Sequence, residues 1–186
     1  SGVYVETGIE QQQCRDLIRD FTCWRLEGRP YLRLKLAATL DGKIGSGQGA
    51  PGWVSGDKAW QEVHQLRAMS QAVLIGGNTL YADDPQLTCR LPDHGDSPQP
   101  LAVVVTSRLP GEDSSYRLLR DRPRNTVIWT TSQAAGTPQA DRLRAGGVEV
   151  WPLGQLPGGG MDLASGLKHL FSRYSCFYVL CEGGGK

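Results

Sequence analysis

Polar and apolar positions alternate from Tyr31 to Ala37: Leu32, Leu34 and Leu36 share one face, Arg33 and Lys35 the other. That pattern predicts a strand. A helix-spaced set follows, with Ala59, Trp60, Val63 and Leu66 toward the core and Arg67 at the border of that face. Ser55 is the expected N-cap and Asp57 sits in the first turn. Short apolar runs then recur at Ala72 to Gly77, Leu101 to Ser107 and Asn125 to Thr131. The second run is unbroken, which predicts burial on both faces. A helix around Gln139 to Ala145 stops at Gly146-Gly147, before the strand VEVWPL. A last helix, Met161 to Tyr174, leads into the strand CFYVLCE. Strands separated by helices predict an α/β fold of three layers: a mostly parallel central sheet flanked by helices.

Upstream of this alternation, Cys14, Leu17, Ile18, Phe21 and Trp24 mark a one-faced helix from Glu10 to Arg25. Residues 1–29 therefore read as a helical connector, and residues 30–186 as one domain. LPDHGDSPQP and GQLPGGG are turn-rich loops.

Composition narrows the function classes. A net charge of +1 gives no general drive toward nucleic acid or acidic membranes. No apolar run reaches transmembrane length. The opening SGVYVETGIEQQQ lacks the cationic-then-apolar order of a signal peptide. The five cysteines are odd in number, without C-x-x-C spacing, and read as reduced thiols of a cytoplasmic protein. His64, His94 and His169 have no second ligand one helical turn away, so no metal site is expected.

Candidate chemistry gathers where strands end. Lys35 points either to solvent from an edge strand or into a site. Small Ala37, Ala38 and Thr39 follow it, then the turn Leu40-Asp41-Gly42-Lys43, in which Asp41 is a turn-former or a site residue. The loop GSGQGAPGWVSG holds Trp53, which either packs on the next helix or closes over a planar ligand. Arg67 fits a bidentate phosphate contact or an ordinary salt bridge. GGNTLYADDPQLTCR places Gly76, Gly77, Asn78 and Thr79 where backbone N–H groups could meet an anion. In it, Asp83-Asp84-Pro85 stops a helix, and Arg90 could pair with either Asp or with a phosphate. Glu182 ends the last strand beside Gly183, Gly184 and Gly185, a better place for a site carboxylate than an open surface. No G-x-S-x-G elbow supports a hydrolase.

Taken together, RPYLRLKLAATLDGKI, GWVSG, VHQLRAMSQAVLIGGNTLYADDPQLTCR, VVVTSRL and VLCEGGGK resemble the reductase domain of the bifunctional riboflavin-biosynthesis deaminase/reductase. That family has a dihydrofolate-reductase-like fold. The resemblance implies hydride transfer from NADPH to C1′ of the ribosylamino group of 5-amino-6-(5-phosphoribosylamino)uracil. It implies that Ala37, Trp53, Thr79, Asp83, Ser107, Gly184 and Gly185 hold the NADPH. Arg67, Leu87, Arg90 and Glu182 would hold the substrate, the arginines near its phosphate. Lys35 and Glu182 would be the catalytic pair at the ribose. A homodimer is implied as well, where the full-length domain is present.

The arm is similar to the family's connector from an upstream zinc deaminase, although no H-x-E with P-C-x-x-C is present. Pro51 departs from the small polar residue usual two positions before the flap tryptophan. In the family a helix and further strands follow the glycine turn, so the sheet is expected to lack its C-terminal strands here. Two rivals stay open: a related reductase of a pteridine or diaminopyrimidinone sugar phosphate, and a non-catalytic ligand-binding domain.

Overall fold

The unbroken apolar runs in the middle of the chain are buried on both faces, as such runs must be when helices cover a sheet on each side. The computed structural model describes residues 2–38, 40–42, 56–111 and 115–183. Among these, the arm carries α1 (Gln11–Leu17) and α2 (Arg19–Thr22). The domain follows as β1 (Tyr31–Lys35), α3 (Asp57–Ala68), β2 (Ala72–Gly76), α4 (Gly77–Asp83) and β3 (Leu101–Val105). It continues with α5 (Arg117–Asp121), β4 (Thr126–Thr131), α6 (Ser132–Ala135), α7 (Pro138–Ala145), β5 (Glu149–Leu153), α8 (Leu163–Tyr174) and β6 (Tyr178–Glu182).

The strands form one sheet in the order β1-β6-β2-β3-β4-β5, and every neighbouring pair is parallel. After β5, α8 carries the chain back so that β6 inserts between β1 and β2. α8 covers one face, packing Leu167 and Leu170 on Leu74, Val103, Val127 and Trp129. The other face takes Leu80 of α4, Leu118 of α5, Ala135 of α6 and Ala140 of α7 against Val73, Ile75, Val104 and Ile128. Leu66 of α3 packs against the same cluster. The three-layer expectation is met. Leu32 and Leu34 on edge strand β1, and Leu36 just past it, stay exposed, so the α8 layer does not seal the apolar side of that strand.

The arm departs from its expectation. The helix breaks at Ile18 (φ −107°), and a π-helical turn, Cys23–Glu27, ends at Gly28 in left-handed backbone (φ 61°). Neither α1 nor α2 has a side-chain N-cap, and helices this short need tertiary packing to persist. Leu17 and Phe21 remain exposed. The anchor is Trp24: its indole Nε1 donates to the Phe177 carbonyl at 2.8 Å, and its ring meets Phe177 and Tyr178 edge-on, each at 5.2 Å. Among the described residues no helix is long and apolar enough to cross a membrane.

Candidate active site

A parallel sheet sends all its strands' carboxyl ends to one edge, and ligands of open α/β sheets bind there. Lys35 closes β1 and Glu182 closes β6, and the two are register partners. Partners on adjacent parallel strands lie about 4.8 Å apart and point to the same face. For Glu182 that face is the α3 side. Its Oε1 accepts from Arg67 Nε at 2.7 Å and its Oε2 from Arg67 Nη2 at 2.8 Å. The two side chains are only 11% and 14% exposed, so this is a bidentate, largely desolvated ion pair. Arg67 Nη1 donates to the Thr88 carbonyl at 3.1 Å. Of the two readings open for Arg67, the salt bridge is the contact present, and its fork faces a carboxylate.

The segment from Asp84 to Arg90 has no regular structure and is held by side chains from outside it. Gln99 both donates to the Cys89 carbonyl (3.1 Å) and accepts from the Cys89 N–H (2.8 Å). Arg122 donates to the Gln86 carbonyl at 2.8 Å, and Cys89 Sγ donates to the His64 carbonyl at 3.3 Å. The Arg90 N–H donates to His64 Nδ1 at 3.0 Å. This anchoring supports two non-glycine residues in left-handed backbone, Asp84 (φ 39°) and Leu87 (φ 53°), each costing on the order of 1 kcal/mol or more. The Leu87 side chain is buried in the core, so it presents to the edge only its backbone.

The Arg90 head lies over the Trp60 ring, 4.6 Å from its centroid, and Nη1 donates to Gln86 Oε1 at 3.0 Å. Asp84, one of the two carboxylates considered for Arg90, instead accepts from the Arg117 N–H at 2.7 Å and pairs with its guanidinium at 3.5 Å. Beside Arg90 opens a hollow of about 320 Å³, lined by Asp57, Trp60, Gln61, Arg90, Leu91 and Pro92. Burial, then the charges of Arg67 and Arg90, pull His64 down to about 4, so its ring is neutral near pH 7. Burial, then Arg67 and Arg117, likewise lower Arg90 from its ordinary value.

The expected cofactor residues fall along the same edge. Ala37 lies just past β1, half-buried; Thr79 stands half-buried on α4, just after β2; Ser107 follows β3, exposed; Asp83 ends α4, exposed. A side chain at Gly77 would stand 2.5 Å from Thr106 Oγ1, so only glycine lets α4 begin this close to the end of β3. Gly76 ends β2 exposed, with open space where a side chain would stand. Trp53, Gly184 and Gly185 lie outside the described residues, as do Pro51 and Ser55. Among the described residues no group of His, Cys, Asp and Glu could hold a metal ion.

The edge thus brings together Lys35, Glu182, Arg67 and, through Thr88, the segment bearing Arg90. Sequence reasoning missed three contributors: His64, Trp60 and Gln86. Trp60 was expected in the core, but it is half-buried and supports Arg90; His64, one turn on, is the buried residue. The signal was available, because 60, 64 and 67 fall on one helix stripe.

Residues 30–186 match the family model described as the RibD C-terminal domain. The riboflavin biosynthesis protein RibD of Chlamydia trachomatis is 34% identical over 190 residues, covering 100% of this chain and 48% of that protein. The structure of Acinetobacter baumannii RibD agrees with TM-score 0.73 at 30% identity, over 97% of this chain and 47% of that one. The Thermotoga maritima diaminohydroxyphosphoribosylaminopyrimidine deaminase/5-amino-6-(5-phosphoribosylamino)uracil reductase agrees with TM-score 0.68 at 30% identity, over 95% of this chain and 45% of that one. The chain spans about half the length of these relatives. Sheet, relatives and family model converge: the chain belongs to the RibD C-terminal domain family.

Proposed function

We propose that the chain reduces 5-amino-6-(5-phosphoribosylamino)uracil with NADPH, converting its ribosylamino group to a ribitylamino group. One observation carries this reading: a lysine and a glutamate are register partners at the carboxyl edge, and the glutamate is gripped by a buried arginine. The Thermotoga relative is named for reduction of this uracil derivative. NADPH supplies the hydride. Ala37, Thr79, Asp83 and Ser107, with Trp53, Gly184 and Gly185, would hold it along β1, β2 and β3.

The chain's own residues then align and protonate. Opening the ribose needs a proton at the ring oxygen while the amino nitrogen's lone pair forms a C1′=N iminium; hydride at C1′ then leaves a neutral amine, so one proton and one hydride complete the reduction. Lys35 has protons to donate; Glu182 can accept from the sugar hydroxyls while Arg67 keeps its carboxylate oriented. Arg90, an exposed cation beside an open hollow, suits the phosphate. In the same reading the chain works beside a deaminase domain, since the Thermotoga protein's name joins both activities. The free thiols agree with a cytoplasmic enzyme, and the resemblance implies a homodimer where the full-length domain is present.

Mixing the chain with NADPH and the ribosylamino substrate should consume the cofactor, read as loss of its absorbance. Lys35→Gln should slow that loss by roughly 100-fold. Binding of both compounds without any cofactor loss would favour a ligand-binding domain instead.

A further inference from the structure

We propose that His64 is a positioning residue: acting through the Arg90 main-chain amide, its imidazole sets where the Arg90 guanidinium stands relative to Glu182. The proposal rests on the reading of this edge as the substrate site.

The connection is short. His64 is 1% exposed, and its Nδ1 accepts the Arg90 N–H at 3.0 Å. An accepting Nδ1 in a neutral ring places the proton on Nε2. That Nε2 is buried and meets the Thr88 carbonyl, which already accepts from Arg67, only outside ordinary hydrogen-bond geometry. An apolar side chain would fill the space but leave the Arg90 N–H without its acceptor. Its distinctive contribution is the acceptor.

Both ends of Arg90 are referenced to the same helix. The Trp60 ring lies 3.9 Å from the His64 ring, tilted by 56°, and also carries the Arg90 guanidinium at 4.6 Å. One turn further along α3, Arg67 holds Glu182 and the Thr88 carbonyl. Trp60, His64 and Arg67 are therefore one stripe of α3 that fixes a cation on a loop and a carboxylate on a strand, the two groups proposed to grip opposite ends of a sugar phosphate. Small displacements between such groups are costly to rate and binding.

The test compares the full chain with His64→Leu and His64→Asn. Asparagine places an oxygen near the position of Nδ1; leucine offers no acceptor. In His64→Leu, KM for the ribosylamino phosphate should rise about tenfold with kcat within about twofold, because Arg67 still holds Glu182. His64→Asn should recover most of that loss. Hydrogen exchange across residues 86–91, read without any ligand, should quicken in His64→Leu and slow again in His64→Asn. If wild type turns over and His64→Leu keeps both its KM and its exchange rate, the proposal is overturned. Should wild type show no turnover, the proposed reaction fails separately. Exchange alone then decides: equal rates in wild type and His64→Leu overturn the positioning role.

Discussion

Two sets of Trp, His, Glu and Arg stand on this sheet, at opposite edges. Glu149 opens β5 at the amino edge, and Glu182 closes β6 at the carboxyl edge. Glu149 is met from three directions: Trp151 Nε1 at 2.9 Å, Arg173 Nη2 at 3.2 Å, and the Tyr174 hydroxyl. Burial pushes its carboxyl up, but those three hydrogen bonds together bring it below its ordinary value. Trp151 in turn stacks on Trp129 and meets His169 edge-on at 4.3 Å. Glu182 is met by one planar fork from one side and shares its edge with Lys35. Residue type is the same in both places. What differs is the edge, and whether the donors enclose the carboxylate or hold it from behind. The first set ties α8 to β5; the second presents a group.

That contrast breaks most visibly at Arg67. Arg67→Ala leaves Glu182 nearly buried without its cation, and should cost about 3–5 kcal/mol in denaturant unfolding, with turnover lost as well. Arg173→Ala is the matched change at the other edge. Its side chain is 54% exposed, and its loss should cost under about 1 kcal/mol.

Acid should separate the regions next. His64 stays neutral in the folded chain down to about 4, whereas an unfolded histidine charges near 6.5. Its contribution is therefore complete above 6.5 and is lost as pH falls toward 4, by about 3 kcal/mol at the lower end. Unfolding curves at both pH values would show the loss, and His64→Leu should remove that portion of it.

A smaller effect belongs to the packed region. A Cβ on Gly166 would stand 2.9 Å from the Trp129 ring, so Gly166→Ala must push α8 off β4. About 1–3 kcal/mol should be lost, read as a lower Tm, with KM unchanged.

How far the sequence foretold these regions follows from what periodicity can see. β2, β3 and β4 were legible because sheet burial writes apolar runs, and Gly146-Gly147 stops α7 as expected, with Gly147 at φ 95°. Lys35 and Glu182 were legible as strand-end polar residues, and the ladder makes them neighbours. α3 was misread because a hydrophobic count sends Trp60 inward. Its inner stripe is in fact partly polar, with His64 and Arg67 buried to serve the edge. The arm was misread because one-faced spacing says nothing about whether a surface exists to cover it; of the five residues on that face Trp24 bonds to the domain, at the Phe177 carbonyl, while Asp20, off the pattern, accepts from the Tyr178 hydroxyl. The anchoring of Asp84 to Arg90 was likewise invisible, since Gln99, Arg122 and His64 reach it from separate elements.

In the proposed reaction Glu182 is a working group where Glu149 is a tie. Turnover of Glu182→Gln and Glu149→Gln, measured side by side with NADPH and the ribosylamino phosphate, tests this most directly. Glu182→Gln should fall by roughly 100-fold while remaining folded, and Glu149→Gln should stay within about twofold of the parent chain. Equal rates in the two variants would contradict the account.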